Sequence, residues 1–166
     1  MIPETRWSTA DDAEALAYVH GEAWRFAYAG MLPGMALERR IALHGPAFWR
    51  GGHDRGRRVR VITVDGALAG YAFVGPARAA RWRGRTGEIY ELYLDPVWHG
   101  AGLGARLFGD ARETLKSAHL RATIVWSLAD NEAGCRFYAS QGGEKIGESW
   151  AEMGGRRLKQ LGFGWR

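Results

Sequence analysis

The sequence predicts a mixed α/β fold: one domain over residues 1–166, with a central sheet of about seven strands flanked by about four helices. Three observations predict it. Glu88 to Asp95 is rich in β-branched, aromatic and leucine residues and closes at Pro96, as a strand does. Behind it, Leu103, Leu107, Ala111 and Leu115 recur every four residues, the apolar stripe of a helix starting near Gly102. Second, Val59 to Val64 and Leu68 to Val74 are apolar runs about an Asp65-Gly66 pair, a strong hairpin signal. Third, Ala122 to Leu128 reads as a strand and is followed by a short helical segment, Asn131 to Gln141, stopped by Gly142-Gly143.

The remaining elements follow in order. Arg6 to Ala10 reads as a short first strand. Asp11 with Glu14 matches a helix capping pair, and Leu16, Val19, His20, Ala23, Trp24 and Ala27 form a helical stripe running to about Tyr28. Gly30-Met31-Leu32-Pro33-Gly34 interrupts it. A second helix covers Met35 to Leu43, and a turn of helix is expected at Pro46 to Arg50, before a charged, glycine-rich loop from Gly51 to Arg57. Pro76 to Gly87 carries Arg78, Arg81, Arg83 and Arg85 without apolar periodicity and is read as an exposed loop. Glu144 to Trp150 and Arg157 to Phe163 are expected as two final strands around Gly154-Gly155. No internal repeat, low-complexity tract or linker breaks the chain.

With 46% hydrophobic residues over 166 positions, the chain can bury a core of ordinary size. Eight tryptophans point to packed aromatic clusters or a flat-walled cleft. The single cysteine, Cys135, excludes an internal disulfide and supplies no metal-site spacing, so no metal and a cytoplasmic location are expected. The first residues, Met-Ile-Pro-Glu-Thr-Arg, lack the apolar run of a signal peptide, and no segment approaches the roughly 18 apolar residues of a membrane span. A net charge of +5 suits an anionic small cofactor and a polyanionic partner equally.

A strand that runs through a glycine loop into a helix N-terminus is a device for holding phosphate. First-turn N–H groups have no intrahelical partner, the macrodipole is positive there, and glycines let a ligand approach the backbone. Gly100-Ala101-Gly102-Leu103-Gly104-Ala105 fits two templates. As a dinucleotide fingerprint it needs a following strand that ends in an acid, and a large doubly wound sheet. Positions 121 to 128 contain no acid and only 62 residues follow Gly104, so this reading is the weaker one.

In the other reading the chain resembles the GNAT superfamily of N-acetyltransferases. Their signature is a strand, then Q/R-x-x-G-x-G/A opening a helix, then a diverging strand and a helix that begins near an Asn and bears an F-Y pair. Here the strand is Glu88 to Asp95 and the loop is His99 to Gly104. Trp126 to Leu128, Asn131, Ala133, Phe137 and Tyr138 follow in order and spacing. Trp24-Arg25-Phe26-Ala27-Tyr28-Ala29-Gly30-Met31-Leu32-Pro33 is also similar to the W-R-x-x-Y-x-G-x-L-P opening of one bacterial branch. His99 stands where the family usually carries Gln or Arg. A histidine can still donate a hydrogen bond, and the backbone cradle does not depend on it.

The resemblance implies the GNAT fold, acetyl-CoA as cofactor, and direct transfer to a primary amine in a ternary complex. It assigns cofactor binding to the backbone of Leu92, Tyr93 and Leu94, to the loop His99, Gly100, Ala101, Gly102, Leu103, Gly104 and Ala105, and to Asn131. Tyr138 matches the tyrosine that protonates the departing thiolate, and a free phenol pKa near 10 makes it a competent acid for that purpose. An amine of lysine type is mostly protonated at pH 7, so a base helps. Glu88 and Glu91 are the candidates. Three apart on a strand, they point to opposite faces. Glu88 is preferred because the branch carries its glutamate there. Glu91, with Trp24 and Tyr28, is assigned to the acceptor side.

Each assignment has a plainer counterpart. Either glutamate can be an ion-pair partner for the nearby arginines. Tyr138 can be a core aromatic with a wet hydroxyl, Asn131 an N-cap, and Trp24 part of a buried stripe. His20, His44 and His53 lack ligand spacing, and Cys135 lacks a basic partner for nucleophilic chemistry and reads as packing. Two functional rivals stand beside the enzyme. Arg55, Arg57, Arg58 and Arg60 with Arg78, Arg81, Trp82, Arg83 and Arg85 resemble a basic nucleic-acid-binding surface, although no recognition motif accompanies them. A CoA-binding scaffold without catalysis is the other. The expected partner is a small-molecule or peptide amine, with neither nucleic acid nor membrane; a homodimer is a common arrangement in the family.

Overall fold

The computed structural model describes residues 1–82 and 84–166. It contains seven strands: β1 (Pro3–Trp7), β2 (Arg60–Val64), β3 (Ala67–Pro76), β4 (Thr86–Leu94), β5 (Ala122–Leu128), β6 (Glu144–Met153) and β7 (Arg156–Trp165). Five helices accompany them: α1 (Ala13–Tyr28), α2 (Gly34–Ala42), α3 (Pro46–Asp54), α4 (Leu103–Ser117) and α5 (Glu132–Ser140). The sheet order is β1-β2-β3-β4-β5-β7-β6. β4 and β5 are parallel, whereas β1–β2, β2–β3, β5–β7 and β6–β7 are antiparallel. A parallel neighbour requires a crossover, and α4 is that connection. This is a mixed α/β sheet. The chain forms two compact units, residues 1–73 with 91–111 and residues 74–90 with 112–166.

In the first unit, α1 packs its stripe on the β2–β3 hairpin. Ala13, Leu16 and Val19 share a buried cluster with Trp49, Val59, Val61 and Tyr71. Fully burying a side chain of this size contributes about 1.5–3 kcal/mol. The hairpin turn is as expected, with Asp65 and Gly66 both at positive φ (49° and 87°), the primed turn that matches strand twist.

In this unit β1, the cap before α1 and the extent of α3 differ from expectation, each for a local reason. β1 lies at Pro3–Trp7 rather than Arg6–Ala10, because the chain is already turning into α1 at Thr9. In place of the expected Asp11 and Glu14, Thr9 and Asp12 form a capping box on a short 3-10 turn, Ala10–Asp12, that leads into α1: the Thr9 N–H donates to Asp12 Oδ2 at 2.7 Å. Arg6 donates to both oxygens of the same carboxylate at 2.8 and 2.9 Å, which holds Asp12 below the usual carboxylate range against the opposing effect of burial. The expected single turn after Pro46 is the longer helix α3, and Gly51 to Asp54 belong to it rather than to a loop. Trp49 drives this, since its ring is buried and its indole N–H donates to the His44 carbonyl at 3.0 Å.

In the second unit, β5, β7 and β6 form an antiparallel set flanked by the first half of β4. The recorded β4–β5 ladder runs only from Thr86↔Ala122 to Ile89↔Val125, although both strands continue beyond it. The expected loop from Pro76 to Gly87 contains a short helical turn at Ala80–Trp82, and β4 starts at Thr86, so Gly87 and Glu88 are buried strand residues. The Arg83 of the basic segment lies outside the described residues. Among the described residues no helix is long and apolar enough to cross a membrane, and no group of three or more His, Cys, Asp or Glu is placed to hold a metal.

Candidate functional site

The loop after β4 is anchored at Asp95, which is buried, donates its N–H to the Ala69 carbonyl (2.9 Å) and accepts from the Val97 N–H (3.1 Å). From there the chain passes through Gly100 and Gly102, at φ 82° and 79°, and enters α4 at Leu103. Leu103 is buried with Leu107, Phe108 and Ala111, so the apolar face fixes the helix from its first residue. Only the Arg106 N–H returns to this turn, to the Gly102 carbonyl at 3.2 Å; the earlier N–H groups have no intrahelical acceptor. A Cβ at Gly100 or Gly102 would meet no atom within 4 Å, so the space above the turn is open. Left-handed glycines, unpaired N–H groups and an open approach fit a phosphate-bearing cofactor. His99 is exposed at the start of the loop, its ring 5.0 Å from that of Phe26 on α1.

Leu92, Tyr93 and Leu94 follow the end of the β5 ladder on β4. On the β3 side a Cβ at Gly70 would fall 2.6 Å from the Tyr93 carbonyl, so that glycine permits the close approach of the two backbones. The side chains of Glu91 and Tyr93 enter a buried polar cluster. Tyr71 donates to Glu91 Oε1 at 3.2 Å, and its hydroxyl also lies 2.8 Å from His20 Nδ1. Tyr28 and Tyr93 share a hydroxyl–hydroxyl bond of 2.7 Å. Burial, and then the charge of Glu91, pushes the Tyr71 phenol well above its ordinary range. Burial is also the main cause for Tyr28 and Tyr93, so all three remain protonated donors at neutral pH. His20 is lowered to about 3, chiefly by burial and secondarily by His44.

Trp24 lies edge to face with Tyr28 at 4.9 Å, and its buried indole N–H has no hydrogen-bond partner among the described residues. Its neighbours show what the opening segment does. Arg25 makes a two-pronged bond to Glu38 of α2 (2.8 and 2.9 Å), Leu32 is buried, Gly30 takes φ 84°, and Pro33 caps α2. The segment ties α1 to α2 and delivers Tyr28 to Tyr93.

Glu88 lies in the second unit, only 3% exposed, with both oxygens engaged by Arg78: the backbone N–H at 3.1 Å and Nη2 at 2.9 Å. It belongs to a groove of about 460 Å³ lined by Arg78, Arg81, Trp126, Glu148 and Gln160 among others. Tyr138 is buried on α5, with ring centroids 5.9 Å from Phe163 and 6.1 Å from Trp165. Register places these two candidates on opposite faces of one sheet: Glu88 pairs with Ile124, whereas Phe163 pairs with Val125. Asn131 caps α5, its Oδ1 accepting from the Gly134 N–H at 3.1 Å. Cys135 Sγ donates to the Leu128 carbonyl at 3.5 Å.

Sequence reasoning did not single out Tyr71, read His20 as an ordinary histidine, placed Arg78 and Arg81 only in a basic surface, and used Trp126 only as part of a strand. A signal existed for the first two: a histidine within an apolar helical stripe and a tyrosine within an apolar strand are polar groups that burial obliges to find partners. The arginines carried no periodicity, and their partners are set by the tertiary fold.

Comparison with known proteins agrees with this geometry. The sequence profile of the acetyltransferase (GNAT) family matches residues 13–142. An uncharacterized N-acetyltransferase of Bacillus subtilis (strain 168), YuaI, is 28% identical over 162 residues, covering 96% of this chain and 91% of that protein. The fold is shared with PaiA N-acetyltransferase from Thermoplasma acidophilum, solved with coenzyme A (TM-score 0.77, 20% identity, 97% of this chain and 98% of that one). It is shared also with YncA from Salmonella typhimurium, solved with acetyl-CoA (TM-score 0.70, 18% identity, 100% and 94%). With the family profile spanning most of its length, this chain belongs to the acetyltransferase (GNAT) family.

Proposed function

We propose that this acetyl-CoA-dependent N-acetyltransferase passes the acetyl group directly to a primary amine in a ternary complex, within one domain over residues 1–166. The observation that carries the reading is the open turn at Gly100 and Gly102, both at positive φ and with no atom within 4 Å of where a Cβ would lie, directly before the start of α4.

When bound, the cofactor supplies an acetyl group activated as a thioester. The backbone from His99 to Ala105 would hold its phosphates, and the main chain of Leu92 to Leu94 and Asn131 would orient its amide arm. An N–C bond forms as the C–S bond breaks. Glu88 receives the proton lost by the amine, directly or through water, once Arg78 yields one of its two hydrogen bonds. Tyr138 gives its hydroxyl proton to the departing sulfur. Trp24, Tyr28 and Glu91 shape the acceptor side, which agrees with the joined hydroxyls of Tyr28 and Tyr93 and the Tyr71–Glu91 bond.

The opening segment from Trp24 to Pro33 supports membership of the bacterial branch and a cytoplasmic setting, which cell fractionation would check. Nucleic acid is not proposed as a partner, since three of the arginines that suggested it are engaged internally. Arg60 pairs with Asp110 and Arg78 with Glu88, and Arg57 stacks on Phe48 and Phe73. A homodimer is proposed from family habit alone, and light scattering decides it.

The test is thermal unfolding with excess acetyl-CoA, with NAD and a short RNA as controls. A ligand at about 100 times its dissociation constant adds roughly 2.7 kcal/mol, a rise of a few degrees in Tm for a chain of this size. Acetyl-CoA alone is expected to give the shift. A shift with NAD or RNA instead, and none with acetyl-CoA, would overturn the assignment of the loop.

A further inference from the structure

The groove beside Glu88 is built on a row of register partners. Trp126 of β5 stands opposite Gly162 of β7, which stands opposite Gly147 of β6. A Cβ at Gly162 would lie 2.7 Å from the indole, so the missing side chain is what lets Trp126 lie across the strands. Arg81 is laid along the same row. Its Nη2 is 3.3 Å from the place of a Gly147 Cβ, and its guanidinium lies 6.0 Å from the Trp126 ring centroid and 5.3 Å from that of Trp82. Two aromatic faces and two absent side chains therefore position a guanidinium that is otherwise exposed.

The charges of the groove do not cancel. Glu88 is matched by Arg78 at 2.9 Å. Glu148 is matched by Lys145 at 2.9 Å and Lys159 at 3.2 Å, neither of which lines the groove. Among the described residues Arg81 has no carboxylate partner. The unmatched charge of the lining is thus positive, so an acceptor that carries only ammonium groups meets repulsion here. An amine that also bears an anion has a rigid fork to receive it. The volume, about 460 Å³, admits a molecule of amino-acid to dipeptide size over the face of Trp126.

We propose that the acceptor of this enzyme is a primary amine that also carries a carboxylate, with Arg81 binding the carboxylate, Trp126 beneath the body of the molecule, and the amine directed towards Glu88. The inference rests on the acetyltransferase reading and names the substrate class of the same site. It makes Arg81, Gly147 and Gly162 specificity-determining residues.

The test uses pairs that differ only in the carboxylate: lysine against cadaverine, arginine against agmatine, phenylalanine against phenethylamine. Glycylphenylalanine separates a free amino acid from a peptide. Release of coenzyme A is followed with acetyl-CoA, and acceptor binding to the enzyme with coenzyme A is followed by calorimetry. The carboxylate-bearing member of each pair is expected to be favoured at least tenfold in kcat/KM, through KM, and to bind measurably where its partner does not. Arg81→Ala should collapse that ratio and Arg81→Lys restore part of it. Arg85→Ala, which removes an exposed charge of the same segment outside the groove, should keep it. Preference for the decarboxylated amines, or an unchanged ratio in Arg81→Ala, would overturn the inference and leave the acetyltransferase reading standing. Failure of every amine, together with no thermal shift by acetyl-CoA, would remove both.

Discussion

His20 has a determined tautomer. Tyr71 has one hydroxyl proton and an acceptor on each side, Glu91 Oε1 at 3.2 Å and His20 Nδ1 at 2.8 Å. The carboxylate cannot donate, so the phenol proton goes to Glu91 and His20 must supply the other hydrogen from Nδ1. Nε2 is then a bare lone pair, which agrees with its burial without a partner among the described residues. The result is a directed chain, His20 to Tyr71 to Glu91, that orients one carboxylate of β4, while Arg78 holds that of Glu88. The residue scale also carries the test of Tyr138. Tyr138→Phe keeps the ring among Phe137, Phe163 and Trp165 and removes only the hydroxyl. Turnover is expected to fall about 10²-fold or more, the ordinary worth of a positioned general acid, with acetyl-CoA affinity unchanged. An unchanged kcat would return Tyr138 to a purely structural role. Glu88→Gln should likewise lower kcat more than it alters KM, and a shift of the pH–rate profile between wild type and variant would identify the proton it receives.

The strand, glycine turn and helix from Glu88 to Ser117 act as one element. Gly102→Glu places a carboxylate in the open space that the phosphates would fill, and the added charge opposes theirs. It also forces a side chain into positive φ, which costs about 1–2 kcal/mol for a residue with a Cβ. Gly102→Ala carries the same backbone cost without the charge and separates the two effects. Both variants should lose about the same stability in urea, while only Gly102→Glu abolishes the acetyl-CoA thermal shift. Tight cofactor binding by Gly102→Glu would sink the loop assignment. Boundaries at this scale show where local signals compete. Thr9 with Asp12 and Asp11 with Glu14 are equivalent as strings, and the former pair closes the 3-10 turn that leads into α1, with Arg6 reaching Asp12 in a fork. The glycines of α3 read as a loop, yet burial of Trp49 extends the helix through them, packing overriding propensity.

At the scale of the whole molecule, the buried His20 sets a limit on stability in acid. Its folded pKa of about 3 lies below its unfolded value of 6.5, so the unfolded chain binds the proton first. Stability is therefore undiminished above pH 6.5 and falls as pH drops below it, by at most about 1.4 kcal/mol per pH unit for this one group. Asp12, held low by Arg6, adds a second loss that begins only near the ordinary carboxylate range. Urea unfolding between pH 6.5 and 5 isolates the histidine, and His20→Asn should flatten that interval; an equal slope in the variant would refute the assignment. Much of the molecule was legible before folding. Strand Ala122 to Leu128, the Asp65-Gly66 hairpin, the stripe of α4 and the Asn131 cap depend on side-chain period and backbone preference, which neighbours in sequence settle. The glycine turn before α4 was legible for the same reason, since a helix start and its unpaired N–H groups are local facts. Only the tertiary structure decided that Arg78 would occupy Glu88, that His20 and Tyr71 would reach Glu91, and that Gly147, Gly162 and Trp126 would align beneath Arg81. Those meetings join residues far apart in sequence, and strand register and burial decide them, neither of which leaves a period in the chain.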